Sequence, residues 1–193
     1  MSQEAVTPAK ILETGFAFWP SKVLLSAVEL GLFTRLGDES LTAEELGRVL
    51  ELHPRGTYDF FDTLVALGFL AREGDGPAAR YRNTVETATF LDASRPAYVG
   101  GILEMANARL YGFWNDLTPA LRSGKPQNEL KNGGTSMFTE LYADPARLEQ
   151  FMSAMRGISA ANFAALAERF DFSKYRTLCD RSEEHTSELQ SPI

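Results

Sequence analysis

Residues 53–84 read HPRGTYDFFDTLVALGFLAREGDGPAARYRNT, and this stretch decides the fold. Apolar side chains recur at helical spacing between Pro54 and Gly68, and a proline suits the first turn of a helix, where its missing N–H costs nothing. Two short extended runs follow, Phe69–Glu73 and Ala79–Thr84, separated by a turn rich in glycine and proline. The stretch therefore predicts a helix followed by a two-stranded hairpin.

Two further helices are predicted before this stretch. SKVLLSAVELGLF, residues 21–33, follows Pro20 and offers Ser21 as an N-cap. LTAEEL, residues 41–46, has the sequence of a capping box, with a threonine at the N-cap and a glutamate three residues later. Three short helices followed by a hairpin form the winged-helix pattern.

The chain becomes helical again after the hairpin. Helices are predicted from Tyr98 to Leu121, continuous or kinked near Gly112, then over 137–142, from Asp144 to Ser159 and from Ala160 to Phe170. Tyr175–Asp180, which includes Cys179, is predicted to be a buried strand. The predicted fold is mainly α: a winged-helix-like N-terminal domain with a small β-hairpin, then a helical segment that leads into the first strand of a Rossmann-like domain.

The last thirteen residues, Arg181 to Ile193, differ in character from the rest of the chain. The run RSEEHTSELQS matches, residue for residue, the translation of a sequencing adapter, so we expect an artefact appended after Asp180. The alternative is a natural polar tail. With Leu189 and Ile193 as its large apolar side chains, such a tail would not order itself. Both interpretations exclude these residues from the fold.

Composition excludes several classes of protein. The formal net charge is −7, and the tail holds one arginine and three glutamates, which leaves −5 on residues 1–180. A chain this acidic is not built to coat phosphates, so no nucleic acid partner is expected. One cysteine excludes a disulfide framework and fits a reducing cytoplasm. No apolar run reaches the roughly 18 residues that span a bilayer, and no secretory signal is evident, so no membrane partner is expected.

Taken in order, SKVLLSAVELGLF, LTAEEL, HPRGTYDFFDTLVALGFL and YRNT resemble the N-terminal dimerisation domain of S-adenosylmethionine-dependent O-methyltransferases. The resemblance is to the plant-phenol and hydroxyindole type and its bacterial relatives. The later segments FWNDLTPALRSGKPQNE, MFTELYADPARLEQFMSAM and FDFSKYRTLCD extend it, so that it covers residues 10–180. No single motif is decisive, but their order and spacing are specific together.

The resemblance implies methyl transfer from S-adenosylmethionine to a hydroxyl of a small aromatic metabolite by a cytoplasmic homodimer, with no metal. In that family a strand ending in aspartate leads into a glycine-rich turn at the cofactor. Asp180 matches the strand's end, but the residues after it do not match the glycines. The catalytic base is usually a histidine of the C-terminal domain, and neither His53 nor His185 matches it. We therefore expect this fragment to hold no catalytic residue and no metal, to bind no cofactor and to be inactive.

The resemblance also marks candidate site residues. Those expected to border the substrate are Met105, Asn107, Tyr111, Trp114, Phe138, Phe151 and Met155. Each of them also fits ordinary core packing, although tyrosine, tryptophan and methionine suit a pocket for a flat aromatic. Phe16, Phe18 and Trp19 are expected to form an arm that pairs with a second subunit, and the alternative is packing within the chain.

Five segments are predicted. They are an N-terminal arm (1–20), a winged-helix dimerisation domain (21–92), a helical substrate-lid and linker region (93–172), the truncated start of a methyltransferase domain (173–180) and the artefactual or disordered tail (181–193). The helices near 98–121 and after Asp144 are expected to expose apolar faces that pack against an absent sheet.

Two other functions stay open from the sequence. A winged helix can read DNA, in which case the chain is a transcription regulator and the helix 54–67 enters the major groove with Arg55 in its first turn. Arg72, Arg80 and Arg82 of the hairpin would then form a wing contact with the DNA. A third possibility is a fragment that serves only as an interaction module.

Overall fold

The computed structural model describes residues 6–128, 137–177 and 179, without the side chain of Met137. The chain divides into two units, Met1–Ala160 and Ala161–Ile193. The predictions for the loop at 131–134, for Asp180 and for the tail 181–193 lie outside the described residues.

Short helices dominate the described chain. In order they are α1 (Ala9–Phe16), α2 (Phe18–Glu29), α3 (Leu32–Leu36), α4 (Ala43–Val49), α5 (Pro54–Ala66), α6 (Val85–Phe90), α7 (Gly100–Met105), α8 (Tyr111–Trp114), α9 (Leu117–Ser123), α10 (Met137–Ala143) and α11 (Pro145–Arg169). A π-helical turn, Ala106–Leu110, joins α7 to α8, and a 3-10 turn, Phe172–Lys174, follows α11. The strands are β1 (Leu41–Thr42), β2 (Leu70–Glu73) and β3 (Arg80–Asn83). The mainly helical prediction is confirmed.

The strands form one antiparallel sheet in the order β1-β3-β2. The predicted hairpin is β2 and β3, whereas β1, which pairs Leu41 with Tyr81, was not predicted. Tyr81 is buried and donates its hydroxyl proton to Asp62 over 2.7 Å. Burial, reinforced by that carboxylate, raises the pKa of Tyr81 to about 12.

The hydrophobic core lies between α2, α3, α4, α5 and the sheet. Its largest fully buried side chains include Phe33, Phe61 and Tyr81, and the rings of Phe61 and Tyr81 are 5.5 Å apart. The capping box at α4 forms as predicted: Thr42 accepts from the backbone N–H of Glu45, and the Glu45 carboxylate accepts from the Thr42 N–H at 2.8 Å. The apolar side chains of α5 therefore form part of the core that packs against the sheet.

The start of α2 differs from the prediction. The helix begins at Phe18, and Ser21 is inside it, so Ser21 is not the N-cap. Pro20 is accommodated because the first turn of a helix needs no N–H donors from its own residues. The predicted end is confirmed, because Gly31 follows the helix with a positive φ of 67°, a conformation that glycine adopts without strain.

Two predictions near the C-terminal end of the described residues were wrong. The helices predicted from Asp144 and from Ala160 are one continuous helix, α11, because neither proline nor a positive-φ glycine interrupts it. Tyr175–Thr177 and Cys179 are exposed and outside any strand, so Cys179 is not a buried thiol. A strand needs a hydrogen-bonded neighbour, and the three described strands pair only with one another.

A close crossing joins α7 to the first half of α11. A Cβ atom added at Gly101 would stand 2.7 Å from the Ser153 hydroxyl oxygen and 3.1 Å from the Ala154 backbone nitrogen. One added at Gly157 would stand 3.2 Å from the Tyr98 carbonyl oxygen. Ala154 is fully buried at the same place. We call these residues, Gly101, Ala154 and Gly157, the glycine crossing; only very small residues let the backbones approach this closely.

Asp92 anchors the turn between α6 and α7. Its carboxylate accepts from the N–H and hydroxyl of Ser94 and from Arg95, whose guanidinium also contacts Asp38 at 2.6 Å. Burial opposes ionisation of Asp92, but the hydrogen bonds from Ser94 and Arg95 outweigh it and hold its pKa below the ordinary value. These contacts connect the residues that precede α7 to the loop that follows α3.

In the part of the chain that the structure describes, no helix is both long and apolar enough to cross a lipid bilayer.

Candidate functional site

An open groove of about 980 Å³ runs between α2 and α5, and Tyr111 closes one side of it. Phe18 and Trp19 of α2 and Phe60 of α5 give it aromatic walls. Lys22 and Arg55 also line it. We call it the α2–α5 groove. Apolar walls with a few polar side chains are typical of small-molecule sites, and the volume is at the upper end of the range for such sites.

Helical spacing places these side chains together. The lining residues on α2 include Trp19, Lys22 and Ser26, which recur every three or four residues and therefore share one face; Leu30, the C-cap of the helix, continues it. The opposite face of α2 carries Leu25 and Val28 into the core. The core contacts thus hold the groove face of the helix in place.

Polar contacts fasten the π-helical turn to α2 at Tyr111. The Lys22 ammonium donates to the side-chain oxygen of Asn107, and the Asn107 amide nitrogen donates to the Glu29 carboxylate. Lys22 also lies 5.3 Å from the centre of the Tyr111 ring, and the Tyr111 hydroxyl donates to the Phe18 carbonyl over 3.4 Å. One inserted residue in a helix, which a π-helical turn provides, thereby aims Asn107 at α2.

The charge of the groove differs from that of the chain. Lys22 and Arg55 line it against one carboxylate, Asp59. Among the described residues neither cation forms an ion pair, whereas Arg72, Arg80 and Arg95 each pair with carboxylates. A chain of net charge −7 thus presents two cations without ion pairs, and one carboxylate, beside aromatic walls.

The predicted arm is exposed. Phe16 stacks on Trp19 with ring centres 4.9 Å apart, and Phe18 meets Trp19 edge-on at 5.3 Å. The three side chains stay 47%, 48% and 59% exposed despite these contacts, and no residue of α1 is buried. Intramolecular packing therefore does not account for this patch, which is of the kind that protein interfaces cover.

The predicted substrate residues separate into two sets. Tyr111 lines the α2–α5 groove, and Asn107 is bonded to the groove residue Lys22. Met105 is buried at the end of α7, and Trp114 is 68% exposed beside a small pocket of about 190 Å³. Phe138, Phe151 and Met155 are half-buried on α10 and α11. None of the last five lines the groove within the described residues.

Sequence reasoning missed Lys22 and Phe60 as groove residues and considered Arg55 only as a DNA contact. A signal was present, since the face of α2 that carries Trp19 and Lys22 is continuous in a helical projection. The missing information was that this face meets α5, which is a tertiary contact.

Two of the hairpin arginines that the DNA-binding alternative invoked are held by other side chains of this chain. Arg72 contacts both oxygens of Asp62 at 3.3 Å and leans over the Tyr81 ring. Arg80 bonds to Ser40 and lies 3.9 Å from Glu45. Side chains held by carboxylates are poorly placed to release counterions from DNA.

Comparison with protein families matches residues 12–93 to the O-methyltransferase dimerisation domain. The chain carries an O-methyltransferase dimerisation domain. The arm residues Phe16, Phe18 and Trp19, the hydrophobic core and the sheet all lie within the matched range.

Individual relatives support the same family over a longer stretch. The tetracenomycin polyketide synthesis 8-O-methyl transferase TcmO of Streptomyces glaucescens is 40% identical over 173 residues, which are 90% of this chain and 49% of TcmO. The N,N-dimethyltransferase OxyT of Streptomyces rimosus is 36% identical, over 88% of this chain and 48% of OxyT. The chain thus spans about half the length of the curated relatives it matches.

Among solved structures, human N-acetylserotonin methyltransferase in complex with S-adenosylmethionine superposes with a TM-score of 0.77 at 27% identity. The superposition covers 90% of this chain and 52% of that enzyme. The dimerisation domain and the helices after it therefore have the arrangement found in a methyltransferase's N-terminal half.

Proposed function

We propose that this chain is the pairing and acceptor-covering part of an S-adenosylmethionine-dependent O-methyltransferase that acts as a homodimer on a hydroxyl of a small aromatic metabolite. The observation that supports this most is the 40% identity to TcmO over 173 residues, which extends well beyond the dimerisation domain. On this proposal the three helices and sheet are a winged-helix-like domain used for pairing, with the boundaries 21–92. The helices of 93–172 then cover the acceptor through the candidate substrate residues.

The described residues do not fit a cofactor site. In the doubly wound fold that the resemblance implies, the cofactor lies at a glycine-rich turn at the carboxyl end of a parallel strand. The described sheet is antiparallel throughout, and the glycines after β2, Gly74 and Gly76, belong to the hairpin turn. We therefore propose that the chain alone binds no S-adenosylmethionine and transfers no methyl group. Titration calorimetry with S-adenosylmethionine tests this, and a saturable heat of binding contradicts it.

A chimera tests the proposed activity. Residues 1–177 of this chain are joined to the C-terminal half of TcmO, and methyl transfer from labelled S-adenosylmethionine is measured over a panel of hydroxylated fused-ring aromatics. We expect transfer to at least one acceptor, with none by the chain alone. A folded chimera that binds the cofactor yet methylates no member of the panel contradicts the proposal.

An amine is the second candidate acceptor, because OxyT is an N,N-dimethyltransferase at 36% identity. The same chimera, offered matched aromatic alcohols and amines, separates the two. If the chimera prefers the amines, the acceptor is an amine nitrogen and not a hydroxyl. The proposed pairing role is the same in both cases.

The pairing role is tested by weakening the arm. Phe16→Ala removes an arm ring that is 47% exposed and lies outside the groove, and Phe90→Ala removes a ring that is 45% exposed on α6. By sedimentation equilibrium we expect the arm variant to raise the dimer dissociation constant about tenfold or more, as loss of an aromatic interface anchor does, and Phe90→Ala to leave it within about twofold. A monomeric parent chain, or equal effects of both variants, would count against the arm.

A further inference from the structure

We propose that Asn107 is a positioning residue. By bonding to two side chains of α2 it holds the π-helical turn Ala106–Leu110, and this turn decides that Tyr111, and not Leu110, faces α2. The sequence predicted Asn107 to border a substrate, whereas the structure engages its amide within the chain. The positioning role is tested on the chain alone, and only its consequence for an acceptor rests on the proposed function.

The side-chain amide of Asn107 is engaged at both of its ends. Its oxygen accepts from the Lys22 ammonium, and its nitrogen donates to the Glu29 carboxylate. Lys22 and Glu29 are seven residues apart on α2, which is about two helical turns, so they share one face of this helix. Each of the two bonds includes a charged group, and such hydrogen bonds are stronger than neutral ones. Asn107 is thereby fixed to α2.

A π-helical turn carries one residue more than an α-helical turn, and because it is rare in proteins, contacts outside the helix have to hold it. If Ala106–Leu110 rewinds as α-helix, every residue after it moves by one position, a rotation of about 100° and a rise of about 1.5 Å. Leu110 then takes the place of Tyr111, and Phe113 takes that of Trp114. Two registers of one sequence thus differ in the side chain that faces α2.

The two sides of the π-helical turn differ in how firmly they are packed. Before it, Gly101 belongs to the glycine crossing, Leu103 packs against the core and Met105 is buried. After it, α8 and α9, which are both described in full, bury no side chain, and Leu121 is 77% exposed. A change of register is therefore absorbed by the residues that follow the turn. Asn107, near its start, is placed to prevent that change.

The observed register sets Tyr111 against α2. Its hydroxyl donates to the Phe18 carbonyl over 3.4 Å, and the centre of its ring lies 5.3 Å from the Lys22 ammonium. Leucine has neither a hydroxyl nor an aromatic face for a cation, so Leu110 in the same place forms neither contact. Lys22 therefore contacts both the residue that holds the turn and the residue that the turn positions.

Nuclear Overhauser effects (NOEs) on the 193-residue chain, labelled at tyrosine rings and leucine methyl groups, report the register. In the parent we expect NOEs from the Lys22 side chain to the Tyr111 ring. Asn107→Leu removes both bonds and introduces a better helix former, so we expect these NOEs to be lost and NOEs from Lys22 to the Leu110 methyl groups to appear. Asn107→Ala should give the same change, and Asn115→Leu, at an exposed asparagine after α8, should give none. Unchanged NOEs in both Asn107 variants, with circular dichroism showing that they are folded, overturn the proposal.

Deletion of one residue separates a role in register from a role in stability. Ala108 is exposed within the turn, and its removal takes away the extra residue, so a continuous α-helix then sets Tyr111 against α2 without help from Asn107. We expect the NOEs to the Tyr111 ring to return when this deletion is combined with Asn107→Leu. Shortening the helix does not rescue the loss of a merely stabilising residue. A combined variant that keeps the Leu110 NOEs therefore overturns the role of Asn107 in the register.

The chimera with the C-terminal half of TcmO connects the register to the acceptor. Misplacement by about an ångström costs on the order of a hundredfold in rate, so we expect Asn107→Leu to lower kcat/KM about 100-fold and the added deletion of Ala108 to recover most of the loss. If the deletion restores the NOEs but not kcat/KM, Asn107 contacts the acceptor itself, which overturns its role as a positioning residue.

The proposed function and the positioning role fail separately. A chimera that methylates no acceptor, while the NOEs change as expected, refutes the proposed function and leaves the role of Asn107 standing. Turnover by the chimera together with unchanged NOEs in the Asn107 variants does the reverse.

Discussion

The core around the sheet buries its large apolar side chains, whereas helix α11 leaves several of its own exposed. The core buries Phe33, Phe61 and Tyr81 almost completely. In its 25 residues α11 fully buries only Ala154 and leaves Met152, Ile158, Phe163 and Leu166 exposed. A helix that presents apolar residues on several sides is suited to being surrounded. The first region buries its apolar side chains within the described residues, whereas several large apolar side chains of α11 stay exposed among them.

The largest effect expected of any substitution is in the core. Phe61→Ala removes a ring packed 5.5 Å from Tyr81, and we expect it to lower the free energy of unfolding by about 3–5 kcal/mol. Phe163→Ala in α11, where the ring is 67% exposed, should change it by less than about 0.5 kcal/mol. Urea denaturation measures both. Phe61→Leu is expected to cost about 1–1.5 kcal/mol and keeps the test readable if Phe61→Ala does not fold. Comparable losses at the two phenylalanines would show that α11 is packed as tightly as the core.

The glycine crossing is the place where α11 is expected to behave like the core. Gly101→Ala sets a methyl group 2.7 Å from the Ser153 hydroxyl oxygen and close to backbone atoms, so we expect a loss of about 1–3 kcal/mol. Gly112→Ala, where an added Cβ meets nothing within 4 Å, should instead stabilise the chain by up to about 1 kcal/mol through helix propensity. Hydrogen exchange of the α11 amides reports the first loss locally. The same sign for both substitutions would show that the crossing is not tightly packed.

The turn between α6 and α7, which Asp92 anchors, is expected to make a pH-dependent contribution to the free energy of unfolding. Because the pKa of Asp92 is lowered in the folded chain, its stabilisation is complete above the unfolded value of about 3.9 and disappears as pH falls through the folded value. Asp92→Asn should therefore cost about 1–2 kcal/mol at pH 7, and the difference from the parent should shrink as the pH falls through the folded value. Asp75→Asn, a fully exposed control, should match the parent at every pH. Urea titrations at a series of pH values measure this, and a pH-independent difference for Asp92→Asn would contradict it.

The smallest effects compare two helix caps. Thr42→Ala removes the cap of α4, and we expect about 1 kcal/mol of global stability to be lost. Asp144 accepts from the N–H groups of Ala146 and Arg147 at the start of α11, and Asp144→Ala should fray that turn with little change in the global value. Urea denaturation together with hydrogen exchange separates a global loss from local fraying. A global loss at Asp144 as large as that at Thr42 would mean that α11 unfolds together with the core.

Most of the core was predictable because its evidence is local. The spacing of apolar residues on α5, the capping box at Thr42 and the hairpin β2–β3 all lie within short stretches of sequence. Strand β1 was not predicted, since two residues carry no alternation and their pairing with β3 spans 40 positions of the chain. The continuity of α11 was not predicted, because the sequence analysis divided the helix between Ser159 and Ala160, where nothing in the structure interrupts it.

The candidate site was predictable only in part. Tyr111 lines the groove. Its role toward a substrate stays a prediction, as do the roles of the other candidates, Met105, Asn107, Trp114, Phe138, Phe151 and Met155. Lys22 and Arg55 lie on different helices, and nothing within either helix indicates that they face one groove. Such a site depends on how helices pack against each other, which sequence patterns do not encode.

Thr42 has a consequence for how the domain comes apart. It is the last residue of β1, paired with Arg80, and at the same time the residue whose hydroxyl closes the first turn of α4. The Arg80 side chain reaches from the facing strand to Ser40 and toward Glu45. Detaching this edge of the sheet therefore also opens the helix, so amide protons of β3 and α4 should exchange with solvent in one cooperative step. We therefore expect this strand of two residues to join the sheet and its neighbouring helix in a single unfolding unit.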